Sequence, residues 1–408
     1  VERKDQTPAV VVGGGIGGMA TALSLSRAGI PVHLLERAAE FSEVGAGIQV
    51  GPNVMRMLDA LGVLAEIREI AFFPRTLTLM DALDGSHVTS VDLGPAFVER
   101  FGYPYATIHR ADLHEVLVRA CAASPLVRLE TEQTVTGYDQ TNDGVLVRTA
   151  RGDEVPGSVL IGADGIWSTI RESLVGDGEP RITGHIAYRA VLPMTEIPED
   201  LRSDSVVLWA GPNLHLAHYP LRRGELFNMG AIFHSDRFLE GADVYGDPDE
   251  LHAKFSGVHP NVATLLGKIE EWRMWVLRDR DPDDRWTDRR VALLGDSAHP
   301  TLQYMAQGAG MAIEDAVVLA RTLSASTPGE VPSALHDYAE ERFSRTSRVT
   351  LTSRLFGQLF HASGAERVVR RDMLAHWSSQ SAHQSFAWLY DGIDVVGARA
   401  TSTEETVA

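Results

Sequence analysis

The chain has 408 residues, 44% hydrophobic and 23% charged, a globular composition with enough material for one large domain or two sharing a core. With 55 acidic against 37 basic residues and a formal net charge of -18, it is a poor match for a DNA backbone or an anionic membrane, although a local basic pocket could still take a small organic anion. The single cysteine, Cys121, excludes an intramolecular disulfide and any cysteine-built metal site, and a reducing cytoplasm suits it.

The opening VERKDQTPAVVVGGGIGG passes from polar residues into a short apolar run, without the order of a signal peptide or the length of a membrane span, so a soluble, unexported chain is expected. Ala9 to Val12 reads as a buried strand, MATALSLSRAG as a helix and PVHLLER as a second buried strand, which together make a βαβ unit. Between the first strand and the helix, Gly13, Gly15 and Gly18 stand in G-x-G-x-x-G register. Glycine permits the sharp turn and lets a pyrophosphate approach the helix N-terminus, whose N–H groups and positive dipole end favour anions. Glu36 ends the second strand close to the spacing of about 20 residues at which an acidic side chain binds ribose hydroxyls. The set points to dinucleotide binding without choosing between NAD and FAD, and tight packing of helix on strand is the plainer use of the same glycines.

Farther along, EVGAGIQVGPN is a second glycine-rich crossing, where Gly45 and Gly47 either admit a ring or make bends. Helices are predicted from Pro52 to Leu61 and over RADLHEVLVRACA, Arg110 to Ala122, followed by a meander through VRLETEQTV, GVLVRTA and SVLIGAD that ends in a buried strand. Between His185 and His234, alternating strands broken by AGPN and RRGE predict a separate inserted sheet. Within it His215, Ala217 and Tyr219 alternate with Leu214, Leu216 and His218, so an imidazole and a phenol leave the same face of one strand. Helices are expected around Pro248 to Ile269, and RDRDPDDR reads as a solvated loop rather than a site. The apolar run VALLG then delivers Asp296 to the carboxyl end of a strand, the edge where open α/β sheets bind ligands; its carboxylate suits hydroxyl donors or a helix N-cap. His299 has no ligand partner at metal-binding spacing, so no metal is expected. QGAG opens a helix whose N–H groups near Gly308 and Ala309 suit an electron-rich edge, long helices run to Phe360, and the polar end ARATSTEETVA is expected to fray.

Two segments, GADGIWSTIR (Gly162 to Arg171) and GDSAHP (Gly295 to Pro300), follow the glycine motif in order. Together the three resemble the fingerprints of the single-component FAD-dependent aromatic hydroxylases, which are flavoprotein monooxygenases, over Val10 to about Phe360. The resemblance implies an α/β fold: a Rossmann-like FAD-binding domain, an inserted antiparallel-sheet substrate domain (an α+β insert) and C-terminal helices. The corresponding division gives 1–72, 100–180 and 285–360 to FAD, 73–99 and 181–284 to the substrate, and 361–408 to a C-terminal helical segment and tail. It implies Asp296 on the ribityl chain, Asp164 with Gly165 near the pyrophosphate and the nicotinamide approach, Arg110 at the phosphates or ribityl, and the main chain of Val135 against adenine. Gly13, Gly15, Gly18, Glu36, Arg37, Gly47, Gly308 and Ala309 complete the cofactor set. Taken as residues alone, Asp164 is equally an Asp-Gly turn former and Arg110 a surface residue at a helix start.

Four residues after His299 the broad family commonly carries proline, whereas this chain has Gln303. Gln303 together with His215, Tyr219, GPN…PLR and LQYMAQGAGMAIED is most similar to the 3-hydroxybenzoate 6-hydroxylase branch. That similarity implies that His215 and Tyr219 handle a substrate phenol while Gln303 orients the ring or its carboxylate. It also implies that FAD, reduced by NADH with NADPH left open, reacts with O2 and transfers OH through a flavin hydroperoxide, converting 3-hydroxybenzoate to 2,5-dihydroxybenzoate (gentisate). The nearest alternative is a hydroxylase of salicylate or of another aromatic or heteroaromatic acid; one of another class is a non-oxygenating, redox-responsive flavin-binding protein. A homodimer is a family expectation. Without the family, His215 is a sheet histidine, Tyr219 a core-edge residue and Gln303 a loop hydrogen-bonder; Trp209, Phe227 and Phe233 fill core, and Tyr188 and Arg189 of AYRA stand open between pocket and strand interface.

Overall fold

A computed structural model describes residues 7–43, 45–235, 247–269 and 271–394. The expected frayed end, Ala398 to Ala408, lies outside them. Four-residue apolar runs form the centre: Ala9–Val12 pairs in parallel with Val32–Leu35 on one side and Val159–Gly162 on the other, with Val12 level with both Leu35 and Gly162. Val127–Glu130 and Val291–Leu293 extend the sheet in parallel at its two sides, and Thr287–Asp288 adds a short antiparallel edge. The central runs are almost wholly apolar because helices cover both faces; the exception, His33, meets Glu130 of the edge strand at 2.7 Å. Helices Ile16–Arg27 and Gly308–Ser324 lie against one another over the sheet. Every residue of Ala9–Val12 and Val159–Leu160 is at most 5% exposed, so each large aliphatic side chain there contributes about 1.5–3 kcal/mol of burial.

The inserted sheet has seven strands in the order Arg273–Asp279, Arg181–Pro193, Leu226–His234, Leu214–Leu221, Val206–Gly211, Thr76–Asp81, His87–Asp92. All neighbours are antiparallel except Val206–Gly211 with Thr76–Asp81. Period-two alternation divides it. One face buries Tyr188, Trp209, Phe227, Phe233 and Trp272 with helices Pro248–Lys254 and Pro260–Leu266, while the other turns toward the parallel sheet. The meander expected after residue 126 is split: Val127–Glu130 is an edge strand of the parallel sheet, and only Val135–Gln140, Val145–Thr149 and Glu154–Gly157 form a three-stranded meander. The expected solvated loop RDRDPDDR is partly structural. Asp279 is fully buried between Arg181 and Arg354, and Arg280 reaches Asp177 at 2.9 Å. Cys121 is buried on helix Arg110–Ala122, and burial pushes its thiol up to about 12. Among the described residues no helix is long and apolar enough to cross a membrane.

A fully buried ionic network joins the pieces. On helix Gly308–Ser324, Asp315 accepts the N–H of Gly295 (3.0 Å), the Nε2 of His299 (2.6 Å) and the Nε of Arg342 (2.6 Å). Its neighbour Glu314 takes Arg342 (2.9 Å), the half-buried Arg345 at the rim of the network (2.7 Å) and the amide of Asn53 (2.9 Å). Burial works to raise the Asp315 pKa, but His299 and Arg342 overcome it and hold the carboxyl down at about 2. A depressed folded-state pKa stabilises above the unfolded value of 3.8 and loses that contribution as pH falls toward 2. Asp315→Asn is therefore expected to lower unfolding free energy at neutral pH by about 3–5 kcal/mol, since Arg342 loses a buried partner. The gap from wild type should narrow below about pH 4 in urea titrations at several pH values.

Candidate active site

The two sheets face each other across a cavity of about 500 Å³ lined by Gly15, Gly47, Arg110, Asp296, Gly308 and Ala309 from one side and Arg189, His215, Tyr219 and Asn228 from the other, with Gln303 at the junction. On the parallel-sheet side, Gly13 has φ +107°, and a Cβ there would lie 2.4 Å from the carbonyl oxygen of Ala163, so only glycine fits the turn. The turn delivers the chain to helix Ile16–Arg27, whose N-terminus has no side-chain cap and no acidic residue in its first turn. Gly18 packs this helix onto the Gly13 carbonyl. Glu36, at the end of the neighbouring strand, accepts the N–H groups of Gly14 (2.5 Å) and Ala38 (2.8 Å), and His114 donates Nε2–H to the Gly14 carbonyl (2.6 Å). Arg37 is exposed beside Glu36.

Asp296 opens onto the cavity and meets no hydrogen-bond partner among the described residues. Enclosure by the surrounding protein raises its pKa, against the pull of His299 and Arg110. Arg110 is held by Glu43 at 3.0 Å. Helix Gly308–Ser324, 17 residues long, likewise begins at the cavity without a side-chain cap or an acidic first turn, and presents roughly half a positive charge there. An uncapped N-terminus at the glycine turn suits a pyrophosphate, the unpartnered Asp296 carboxylate suits ribityl hydroxyls, and the second uncapped N-terminus suits the electron-rich edge of a flavin. These residues fit FAD.

Two of the sequence candidates stand apart. Asp164 spends its oxygens on the hydroxyl of Ser168 (2.5 Å) and the N–H of Ile170 (3.2 Å), so it shapes the loop, and it is Ala163 and Gly165 beside it that line the cavity. Val135 heads a meander strand, opposite Thr149, with its side chain in the main core and away from the cavity lining. Arg171, the last residue of the second motif, was not singled out by the sequence. It is buried, donates to the carbonyls of Ser297 (2.9 Å) and Ala298 (2.7 Å), and is anchored by Asp177 at 2.7 Å. The second motif thus holds the backbone of the third.

The inserted sheet supplies the other wall in cross-strand rows. Arg189, Gly230, Ala217, Leu208, Leu79 and Thr89 are successive neighbours in one row; His215 lies beside Ile232 in the next, and Tyr219 beside Asn228 in the row on the opposite side. His215 and Tyr219 are four residues apart, about 13 Å of strand, with Ala217 between them, so a benzene ring and its substituents fit over the small pair Ala217 and Gly230. A Cβ on Gly230 would touch only Ile232, at 3.7 Å. Gly47 crosses close above: a Cβ would lie 2.6 Å from the Tyr219 ring, and its N–H donates to Asn228 Oδ1 at 2.8 Å. AYRA divides between the faces, with Tyr188 in the core accepting the N–H of Asp247 (2.8 Å) and Arg189 on the cavity.

Burial lowers the His215 pKa to about 3, with His185 adding to the effect, so the imidazole is neutral in the working range. Its Nδ1 meets His361 Nε2 at 2.7 Å, leaving Nε2 for the cavity. Burial pushes Tyr219 up to about 12 despite Arg189 and Gln49, so it remains a phenol donor. Arg189 hydrogen-bonds to Gln303 Oε1 and lies 5.7 Å from the centre of the Trp275 ring. No carboxylate of the described residues pairs with it, and burial lowers its pKa. Asp296→Ala is expected to weaken FAD binding about tenfold or more, since it removes a charged hydrogen-bond acceptor. Flavin absorbance retained after gel filtration checks this; full occupancy would remove Asp296 from the cofactor site.

Residues 6–353 match the family model described as "FAD binding domain". Over 382 residues, covering 94% of this chain and 96% of the relative, the chain is 44% identical to a 3-hydroxybenzoate 6-hydroxylase of Klebsiella oxytoca. It is 42% identical to the 3-hydroxybenzoate 6-hydroxylase of Polaromonas naphthalenivorans strain CJ2, covering 94% and 95% of the two chains. Among solved structures, Klebsiella pneumoniae HpxO complexed with FAD and uric acid superposes with a TM-score of 0.85 at 25% identity, covering 95% of this chain and 98% of that one. With its glycine turn, unpartnered Asp296 and two uncapped helix N-termini around one cavity, the chain belongs to the family of FAD-dependent aromatic hydroxylases.

Proposed function

We propose that this enzyme hydroxylates 3-hydroxybenzoate para to its hydroxyl group, giving 2,5-dihydroxybenzoate, with O2 and a reduced nicotinamide, NADH in preference to NADPH, as co-substrates. The observation that carries this reading is the cavity face itself. A neutral imidazole, a protonated phenol and a guanidinium without a carboxylate partner among the described residues surround a patch of two small residues, Ala217 and Gly230. A phenolic acid has matching groups. The names of the relatives at 42–44% identity support the same choice of acid.

Bound FAD, once reduced, supplies the oxygen chemistry. The chain supplies the rest. Arg189, with the amide NH2 of Gln303 beside it, takes the carboxylate in a charge-assisted pair. His215 Nε2 faces the hydroxyl as a base, and removing that proton makes the ring a better nucleophile; Tyr219 donates to the phenolate oxygen that results. The apolar side chains of Leu79, Leu208 and Ile232 keep water from the ring.

The discriminating experiment mixes purified, flavin-loaded protein with NADH and each of 2-, 3- and 4-hydroxybenzoate, follows nicotinamide oxidation, and identifies products chromatographically. Gentisate from the 3-isomer alone is expected; hydroxylated product from another isomer in its place would overturn the assignment. Arg189→Met should raise KM for the acid by roughly 10- to 100-fold, the 1.5–3 kcal/mol of a charged hydrogen bond, with a smaller change in kcat. Because His215 stays neutral down to about pH 3, kcat/KM should show no histidine inflection near its ordinary value of 6.5, which a pH series from 5 to 8 measures.

A further inference from the structure

Behind His215, on the side away from the cavity, stand three more histidines drawn from three different elements. His361, just past helix Val331–Phe360, puts Nε2 2.7 Å from His215 Nδ1, with the two ring centres 5.0 Å apart. His185, on strand Arg181–Pro193, stands edge-on to His361 with ring centres 4.6 Å apart, and His234, across the strand pair from His185, lies 6.0 Å beyond. Exposure rises along the series: His215 and His361 are buried, at 3% and 7%, His185 is half-buried and His234 is exposed. The imidazoles therefore form a column from the cavity to the surface. Its backbone end is fixed, since the His361 carbonyl accepts the N–H of Asn213 at 3.0 Å.

We propose that His361 is the relay that carries the substrate's hydroxyl proton out of the cavity, taking it from His215 and passing it toward His185 and His234. The assignment rests on the phenolic substrate proposed above. The balance is simple. The substrate O–H breaks as His215 Nε2–H forms; His215 Nδ1–H breaks as His361 Nε2–H forms; His361 Nδ1–H breaks and the proton leaves by way of His185 and His234 to solvent. One proton leaves, the phenolate remains, and both imidazoles end neutral with their tautomers exchanged. Return of a proton to the product runs the same steps backward and resets the pair.

Two features favour a relay over a plain structural contact. His361 Nδ1 is buried and meets no hydrogen-bond partner among the described residues, which for a purely structural histidine wastes a polar atom that usually finds one. Among the described residues the groups facing His361 are His215, His185, His234, Tyr304 and Arg370, none of them a carboxylate, and burial with the neighbouring histidines and Arg370 lowers the His361 pKa to about 2. A proton can pass through such a ring but not rest on it. Tyr304 donates to or accepts from His185 Nδ1 at 2.7 Å, which fixes the next ring in the series.

The test reads ionisation rather than product. Flavin-loaded wild type, His361→Phe and His361→Gln are mixed with 3-hydroxybenzoate in a stopped-flow instrument, and phenolate formation is followed by ultraviolet difference absorbance. Glutamine can hydrogen-bond to His215 but cannot take in a proton at one atom and release it at another. Both variants should slow ionisation about 10²-fold while the dissociation constant stays within about twofold, and kcat should fall with KM unchanged. Wild-type ionisation rates in His361→Gln would overturn the relay and leave His361 as a positioning residue. If the wild type ionises the bound acid but hydroxylates none of the three isomers, the functional reading fails while the relay stands.

Discussion

The Asp315–Arg342 pair, with Glu314 and Arg345 beside it, is the constraint on which the cofactor half of the molecule depends. Such a buried network does little for stability relative to an apolar core of equal volume, because desolvating each charge cancels much of the attraction. Its value is positional. The same carboxylate that holds Arg342 also holds Gly295 and His299, on either side of Asp296, and Glu314 ties in Asn53, whose amide reaches Gln307 at the head of the helix that carries both acids. Loop, helix start and the long helix Val331–Phe360 are thereby fixed to one another, and the long helix carries its constraint on to His361.

Against that frame of paired charges, the cavity is built from groups left short of partners. Among the described residues Asp296 has no hydrogen-bond donor and Arg189 no carboxylate, His215 keeps one nitrogen open, and two helices begin without side-chain caps. Each would be a defect in a structural core. Placed around a single space by rigid strands and by the close Gly47 crossing, they instead describe the complement of what enters: diphosphate, polyol, planar ring edge, carboxylate and phenol. Frame and cavity are two uses of one rule about buried polarity.

What the sequence reveals and conceals follows from contact order. The glycine turn, the helix Arg110–Ala122 and the shared face of His215 and Tyr219 are local patterns, set by steric limits at glycine and by periods of 3.6 and 2, and they can be read directly. Arg189 on the cavity could not be separated from Tyr188 in the core without knowing which face of its strand is roofed. His361 is 146 residues from His215, and Arg171 is 126 from Ser297, so neither spacing carries a signal. RDRDPDDR misleads for the same reason: charge density suggests solvent, but the arginines that bury Asp279 come from residues 181 and 354.

Cys121 has a practical corollary. Its sulfur is walled in against Met19, where it donates to the carbonyl at 3.3 Å, and its thiolate is suppressed, so maleimides and iodoacetamides find almost no nucleophile on the folded protein. A cysteine engineered anywhere on the surface would be the sole reactive handle, allowing a fluorophore or spin label to be attached to either sheet without first removing the native residue.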